Sequence, residues 1–168
     1  MNDELYHHGI KGQKWGVRRY QNSDGTLTPE GKKRQAKELN KLNKVGRLVI
    51  WNDASRRRAG NEANLYEYYA NKATNSDEKM YYDGRVHALD QVYTSSAKAV
   101  VSYLKKYKKL EERLMKKYGN MTVDEMIKSN DNFTDSINIQ DVTWPHARER
   151  VNAIKDLYAD SPYKKNSK

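Results

Sequence analysis

Between residues 86 and 114 an apolar or aromatic side chain returns at every seventh position: Val86, Tyr93, Val100, Tyr107 and Leu114. A second row at Ala97, Leu104 and Tyr118 lies between them and completes a 3–4 repeat. That period places both rows on one stripe of a long helix. A strand, whose side chains alternate with period two, cannot use it. Asp90 and Glu111 fall on the second row, where a buried, unpaired carboxylate would be costly. The helix is therefore expected to be packed on one side and wet on the other, as in a hairpin or small bundle rather than a long dimeric coiled coil. It is expected to run from about Asp77 to Tyr118, with Ser76, Asp77 and Glu78 as its cap and Gly119-Asn120 as its stop.

A first long helix precedes it. Thr28-Pro29-Glu30 supplies an N-cap, a proline at the first helical position and an acid in the first turn. Ala36, Leu39, Leu42, Val45, Val49, Ala59, Ala63, Tyr66, Tyr69 and Ala73 then recur at threes, fours and their multiples. Gly60 interrupts this run at a cost of ~1 kcal/mol relative to Ala, so a kink or short break is expected between Asn52 and Gly60. The two helices should be antiparallel, joined near residues 74–76. That arrangement brings Tyr66, Tyr68 and Tyr69 to Tyr81 and Tyr82 as a packing cluster.

Thr122-Val123-Asp124-Glu125 reads as a capping box before a short helix, Val123 to Lys128. Residues 129–142 are polar and irregular. A last helix is expected from about Pro145 to Ala159, with Val151, Ile154, Leu157 and Tyr158 as its apolar face. The expected fold is all-α: two long antiparallel helices forming a hairpin, one or two short C-terminal helices and no sheet. Residues 1–27 form an irregular, basic, Gly-rich module, and residues 28–168 the helical domain.

Composition fits a thin helical architecture. Apolar residues make up 36% and charged ones 32%, and 13 Tyr stand beside a single Phe; ordinary globular chains run near 45–50% apolar. The net charge of +10 is unevenly placed, since residues 1–60 carry 14 Lys/Arg against 6 Asp/Glu while residues 61–168 carry 18 against 16. A basic first third suits an acidic partner, and also serves solubility. With no cysteine, thiol nucleophiles, disulfides and Cys-zinc sites are excluded. No apolar run approaches the ~20 residues of a membrane span, and Met1-Asn2-Asp3-Glu4 lacks the start of a secretory signal. A soluble chain made in the cytoplasm, without membrane contact, is expected.

Signatures of catalysis are missing. There is no G-x-S-x-G, no H-E-x-x-H and no G-x-x-x-x-G-K-(S/T) loop. The four histidines, His7, His8, His87 and His146, do not form a ligand set by their spacing, so the expectation is no enzyme, no metal and no cofactor. The N-terminal stretch is chemically more particular. From His7 to Arg34 it holds Gly9, Gly12, Gly16, Gly25 and Gly31 among cations and aromatics, and glycine is costly to order. Such a segment suits recognition by a partner. Trp15 would be a buried anchor flanked by Ile10 and Val17, with Lys14, Arg18, Arg19 and Tyr20 completing the contact. An alternative is nucleic-acid binding, in which Lys11, Lys14, Arg18, Arg19, Lys32, Lys33, Arg34, Arg56, Arg57 and Arg58 neutralise phosphates.

The stretch HHGIKGQKWGVRRYQNSDGTLTPEGKKR also resembles a short module of tailed-phage and prophage proteins, mainly from Gram-positive bacteria. There it reads HGIKGMKWGVRRYQN-x-DG-(S/T)-LT-x-x-G-(K/R)-x-R. The match runs from Tyr6 to Arg34, with Gln13 in place of the usual Met, and covers under a fifth of the chain. The module is attached to chains described as phage structural, minor-head or head-morphogenesis proteins. The resemblance implies a bacteriophage structural protein, present in the host cytoplasm during assembly and in the virion, that docks on a capsid or other virion protein. The alternative it leaves open is a nucleic-acid-binding or host-directed regulatory phage protein.

Overall fold

The computed structural model describes residues 20–22, 24–119, 121–133 and 144–159, with side chains in the last stretch from Arg148 onward. The fold is all-α: α1 spans Pro29–Lys72, α2 Ser76–Lys117, α3 Val123–Lys128 and α4 Trp144–Leu157. The two long helices pack together as an antiparallel hairpin, as the 3–4 repeat predicts. Among the described residues the only β-type pairing is an isolated bridge between Gln21 and Leu27.

Local chemistry sets most of the ends. Thr28 caps α1: its Oγ1 accepts from the Gly31 amide at 3.1 Å, and its carbonyl accepts from the Lys32 amide at 2.8 Å. At α3 the capping box is complete, with the Thr122 hydroxyl and the Glu125 carboxylate each accepting from the other's backbone amide. The cap of α2 departs from expectation. It is Asn75, whose Oδ1 accepts from the Glu78 amide at 2.8 Å, and Ser76 is already helical. Asn and Ser are comparable caps, and Glu78 decides the register here by reaching back to the Thr74 amide at 3.1 Å. Gly119, just past α2, takes the left-handed φ of 75° that ends helices.

No break divides α1. It runs as 44 continuous residues through the segment where a kink was expected. Gly60 instead makes room for the Tyr93 ring of α2, two of whose carbons lie 3.3 Å from where a Cβ would stand. The missing side chain thus serves close packing rather than a bend.

The chain divides into two compact units: Met1–Leu42 with Glu111–Ile137, and Asn43–Leu110 with Asn138–Lys168. In the first, Ala36, Leu39 and Leu42 of α1 are buried with Leu114, Tyr118, Val123 and Met126. The turn after α3 is tied to α1 by Asn130, whose Nδ2 donates to the Lys32 carbonyl and to Gln35 Oε1, each at 2.8 Å.

In the second unit Val45, Val49, Ala59, Ala63 and Ala70 of α1 are buried, with Ala97, Val100, Val101 and Tyr107 of α2 and Val151, Ile154 and Tyr158 of the C-terminal segment. Two expected core positions fail. Tyr69 is 42% exposed and Leu157 is 70% exposed, while Ala70 takes the inward position one residue on. Asp90 is exposed, as the cost of burying its charge requires.

This unit also buries a full carboxylate. Asp53 has no exposed surface; Arg56 holds its Oδ1 at 3.1 Å and Arg57 its Oδ2 at 2.5 Å, one turn further along the same helix. Arg56 also donates to the Tyr93 hydroxyl at 3.0 Å. Burial works against the Arg56 charge, but the bonds to Tyr93 and Asp53 outweigh it and raise its basicity. Asp53→Ala is expected to cost about 2 kcal/mol, less than a fully buried pair, because Arg57 can turn to water. Arg56→Ala should cost more than Arg57→Ala, and Arg58→Ala should fall within about 0.5 kcal/mol of the parent. Urea unfolding followed by circular dichroism ranks the four.

Candidate functional site

The described part of the N-terminal module begins at Tyr20 and closes into a tight reversal over residues 20–28. The chain turns between Asn22 and Thr26, with Gly25 at φ 88° and its amide donating to the Asn22 carbonyl at 3.1 Å. Only glycine adopts that φ without strain. The two arms are held by bonds from the Asn22 amide to the Thr26 carbonyl, 2.7 Å, and from the Thr28 amide to the Tyr20 carbonyl, 3.0 Å.

Side chains reinforce the turn. Asp24 Oδ1 accepts from the Thr26 amide at 2.9 Å and the Thr26 hydroxyl at 2.7 Å, and Asn22 Nδ2 donates to that hydroxyl at 2.8 Å. The bonds from Thr26 hold the Asp24 carboxyl below its ordinary value of 3.8.

This reversal is seated directly on α1. A Cβ at Gly31 would stand 2.1 Å from the Tyr20 carbonyl oxygen, so the two backbones touch as only glycine allows. The Arg34 guanidinium lies 4.6 Å from the centre of the Tyr20 ring, a cation–π contact. Arg34 also approaches Glu38 at 3.7 Å, and Lys117 of α2 bonds the same carboxylate. A cavity of about 250 Å³ opens here, lined by Tyr20, Gln21, Leu27, Gly31, Arg34, Lys117 and Tyr118. Burial, reinforced by the Glu38 charge, pushes the Tyr118 phenol up to about 12.

The motif residues from Tyr20 to Arg34 therefore build a root that fixes where the module meets the helix. Of the partner-contact candidates, Ile10, Lys14, Trp15, Val17, Arg18 and Arg19 lie outside the described residues, as does Lys11; Tyr20 is in the root. The other nucleic-acid candidates do not form one free cationic surface. Lys32 pairs with Asp131 at 3.5 Å, Arg34 covers Tyr20, and Arg56 and Arg57 hold Asp53. Lys33 and Arg58 are exposed. These cations also divide between the two units, with residues 32–34 in the first and 56–58 in the second.

Tyr118, announced by the 3–4 repeat, completes the root's surroundings with Glu38, Lys117 and Asn130, which no motif announces. They lie in other turns of the chain, and only the antiparallel return of α2 brings Lys117 and Tyr118 to α1. No group of three potential metal ligands converges among the described residues. His87 is exposed on α2, 3.1 Å from Gln91, while His7, His8 and the side chain of His146 fall outside what is described. No described helix is long and apolar enough to cross a membrane.

A family of unknown function, DUF7211, matches residues 1–22. The match thus ends at the first arm of the reversal. No curated protein and no solved structure matches the chain.

Gly31→Ala tests the root. Its Cβ requires the Tyr20 carbonyl to move, so amide protection at Asn22 and Thr28 should collapse while α2 keeps its exchange rates. Acid tests the turn independently. A carboxyl with a lowered folded value contributes stability above its unfolded value and loses it as the pH falls through the folded one. Protection of the Thr26 amide should accordingly fade below pH 3.8, the ordinary value for Asp24, and Asp24→Asn should abolish that dependence.

Proposed function

We propose that this chain is a non-enzymatic phage structural or head-assembly-associated protein that docks on another virion component through its N-terminal module. Its place is the host cytoplasm during assembly, and then the virion. The phage setting rests on the resemblance of residues 6–34 to the tailed-phage module, and the docking role on the contact of the Tyr20 carbonyl with Gly31. That contact makes the second half of the motif a mount, and the chemistry of the segment up to Arg19 assigns recognition to the other half. A mount of this kind serves docking, because holding the base of a recognition segment reduces the ordering cost that weakens binding by flexible chains.

The chemistry of that segment supports a protein partner. Trp15 with Ile10 and Val17 supplies apolar anchors, and Lys14, Arg18 and Arg19 supply charge for an acidic surface. The nucleic-acid reading draws less support, because Arg56 and Arg57 are held by the buried Asp53 and Lys32 reaches the exposed Asp131.

The test is co-sedimentation with capsid proteins produced alongside the full chain. Removing residues 1–19, or changing Trp15→Ala, should reduce capture at least ~10-fold, the scale of a lost aromatic anchor. Helicity by circular dichroism should be unchanged. Undiminished capture by both variants would sink the proposal.

A further inference from the structure

Five of the eight large apolar side chains exposed among the described residues sit at one end of the second unit, around the α1–α2 turn. They are Leu65, Tyr68, Tyr69, Met80 and Tyr81, at 50%, 51%, 42%, 71% and 60% exposure. The tyrosines are contiguous. Ring centres run from Tyr68 to Tyr69 at 5.7 Å, on to Tyr82 at 5.6 Å and to Tyr81 at 5.4 Å, with Tyr66 6.2 Å from Tyr82. Cations sit on the rim, Lys72 over Tyr68 at 4.6 Å and Arg85 over Tyr66 at 5.1 Å. The expected packing cluster thus exists, but much of its surface faces water.

We propose that this tip is a two-fold interface with a second copy of the chain. Exposed side chains of this size leave on the order of 500 Å² uncovered, at the upper end of what monomers show. With the rims of Tyr66, Tyr82 and Lys72, the patch approaches the ~800 Å² per partner of a standard interface. Tyr, Met and Arg are the residue types that interfaces favour.

Charge selects the occupant. Residues 62–85 carry Glu62, Glu67, Asp77, Glu78 and Asp83 against Lys72, Lys79 and Arg85, in a chain whose overall charge is +10. A polyanion finds no basic face here, and a strongly basic partner finds interspersed cations. A second copy meets both signs with both signs, as an isologous contact requires.

Sedimentation velocity of the full chain, from ~5 to ~200 µM, reads the association directly, with a dissociation constant expected in the micromolar range. Raising salt from ~0.1 to ~0.5 M should change the dimer little, because the apolar side chains carry the affinity and salt screens only the charged rim. The double variant Tyr68→Ser/Tyr81→Ser, and separately Met80→Lys, should stay monomeric throughout. Trp51→Ser, which removes another exposed aromatic outside the tip, should dimerise like the parent. Circular dichroism checks that each variant is folded. A parent chain that is monomeric at the highest concentration overturns the proposal. So does a dimer that survives both tip changes.

Discussion

Two helices of more than forty residues are held here by a narrow seam, and the closeness of their approach decides what else the chain can do. With 36% apolar residues, the seam is built largely from small side chains. Ala36, Ala59, Ala63, Ala70 and Ala97 occupy buried positions and keep the backbones near each other, while Gly60 admits the ring of Tyr93. Small residues on one side and tyrosines on the other give dense contact from few atoms. The same arrangement accounts for the continuity of α1. A glycine filled by a neighbouring ring gains packing that offsets the ~1 kcal/mol it costs in an isolated helix.

The mount on α1 uses a second close approach of the same kind. Gly31 lets the Tyr20 carbonyl touch the helix, Thr28 closes the reversal and caps α1 together, and Arg34 covers the Tyr20 ring. A cap alone would start the helix and leave the preceding chain undirected. A reversal alone would be a short two-armed turn of marginal stability. Sharing Thr28 between them makes the entry direction of the preceding segment a consequence of the helix itself. That is why a motif spanning loop and helix has its second half spent on structure.

Periodicity and cap chemistry are local, and the sequence carries them openly. The seven-spaced row foretold α2, Thr28-Pro29 located the start of α1, and Thr122 with Glu125 located α3. What stayed hidden depends either on partners far along the chain or on which of several nearby contacts forms. Gly60 looks like a weak point until Tyr93 is placed against it, and Asp53 looks like one more surface acid until Arg56 and Arg57 fold over it. Asn75 and Ser76 are equivalent caps by propensity, and only the reach of Glu78 to Thr74 separates them. Asn, Asp and Gly at positions 22, 24 and 25 are turn-forming residue types, but the seating of their turn on Gly31 was not readable, because a carbonyl touching a helix leaves no side-chain pattern.

Net charge is the property for which sequence and structure differ most in meaning. A basic first third is ordinarily read as a surface for anions, yet the cations of this region are divided among unlike tasks. Arg34 and Lys117 converge on Glu38, Lys32 reaches Asp131, and Asp53 takes Arg56 and Arg57. Each carboxylate so held lowers the local field that a phosphate would feel, since Coulomb attraction counts the whole cluster and not its cations alone. The positive charge outside these clusters is the part that can reach a partner at long range, and in the module it is interleaved with Trp15, Ile10 and Val17. In the proposed docking, charge there would speed encounter and choose the partner's sign, and the apolar side chains would supply the affinity. Such a division suits a docking segment on a helical mount better than a phosphate-tracking surface, where cations would need to lie free along one face.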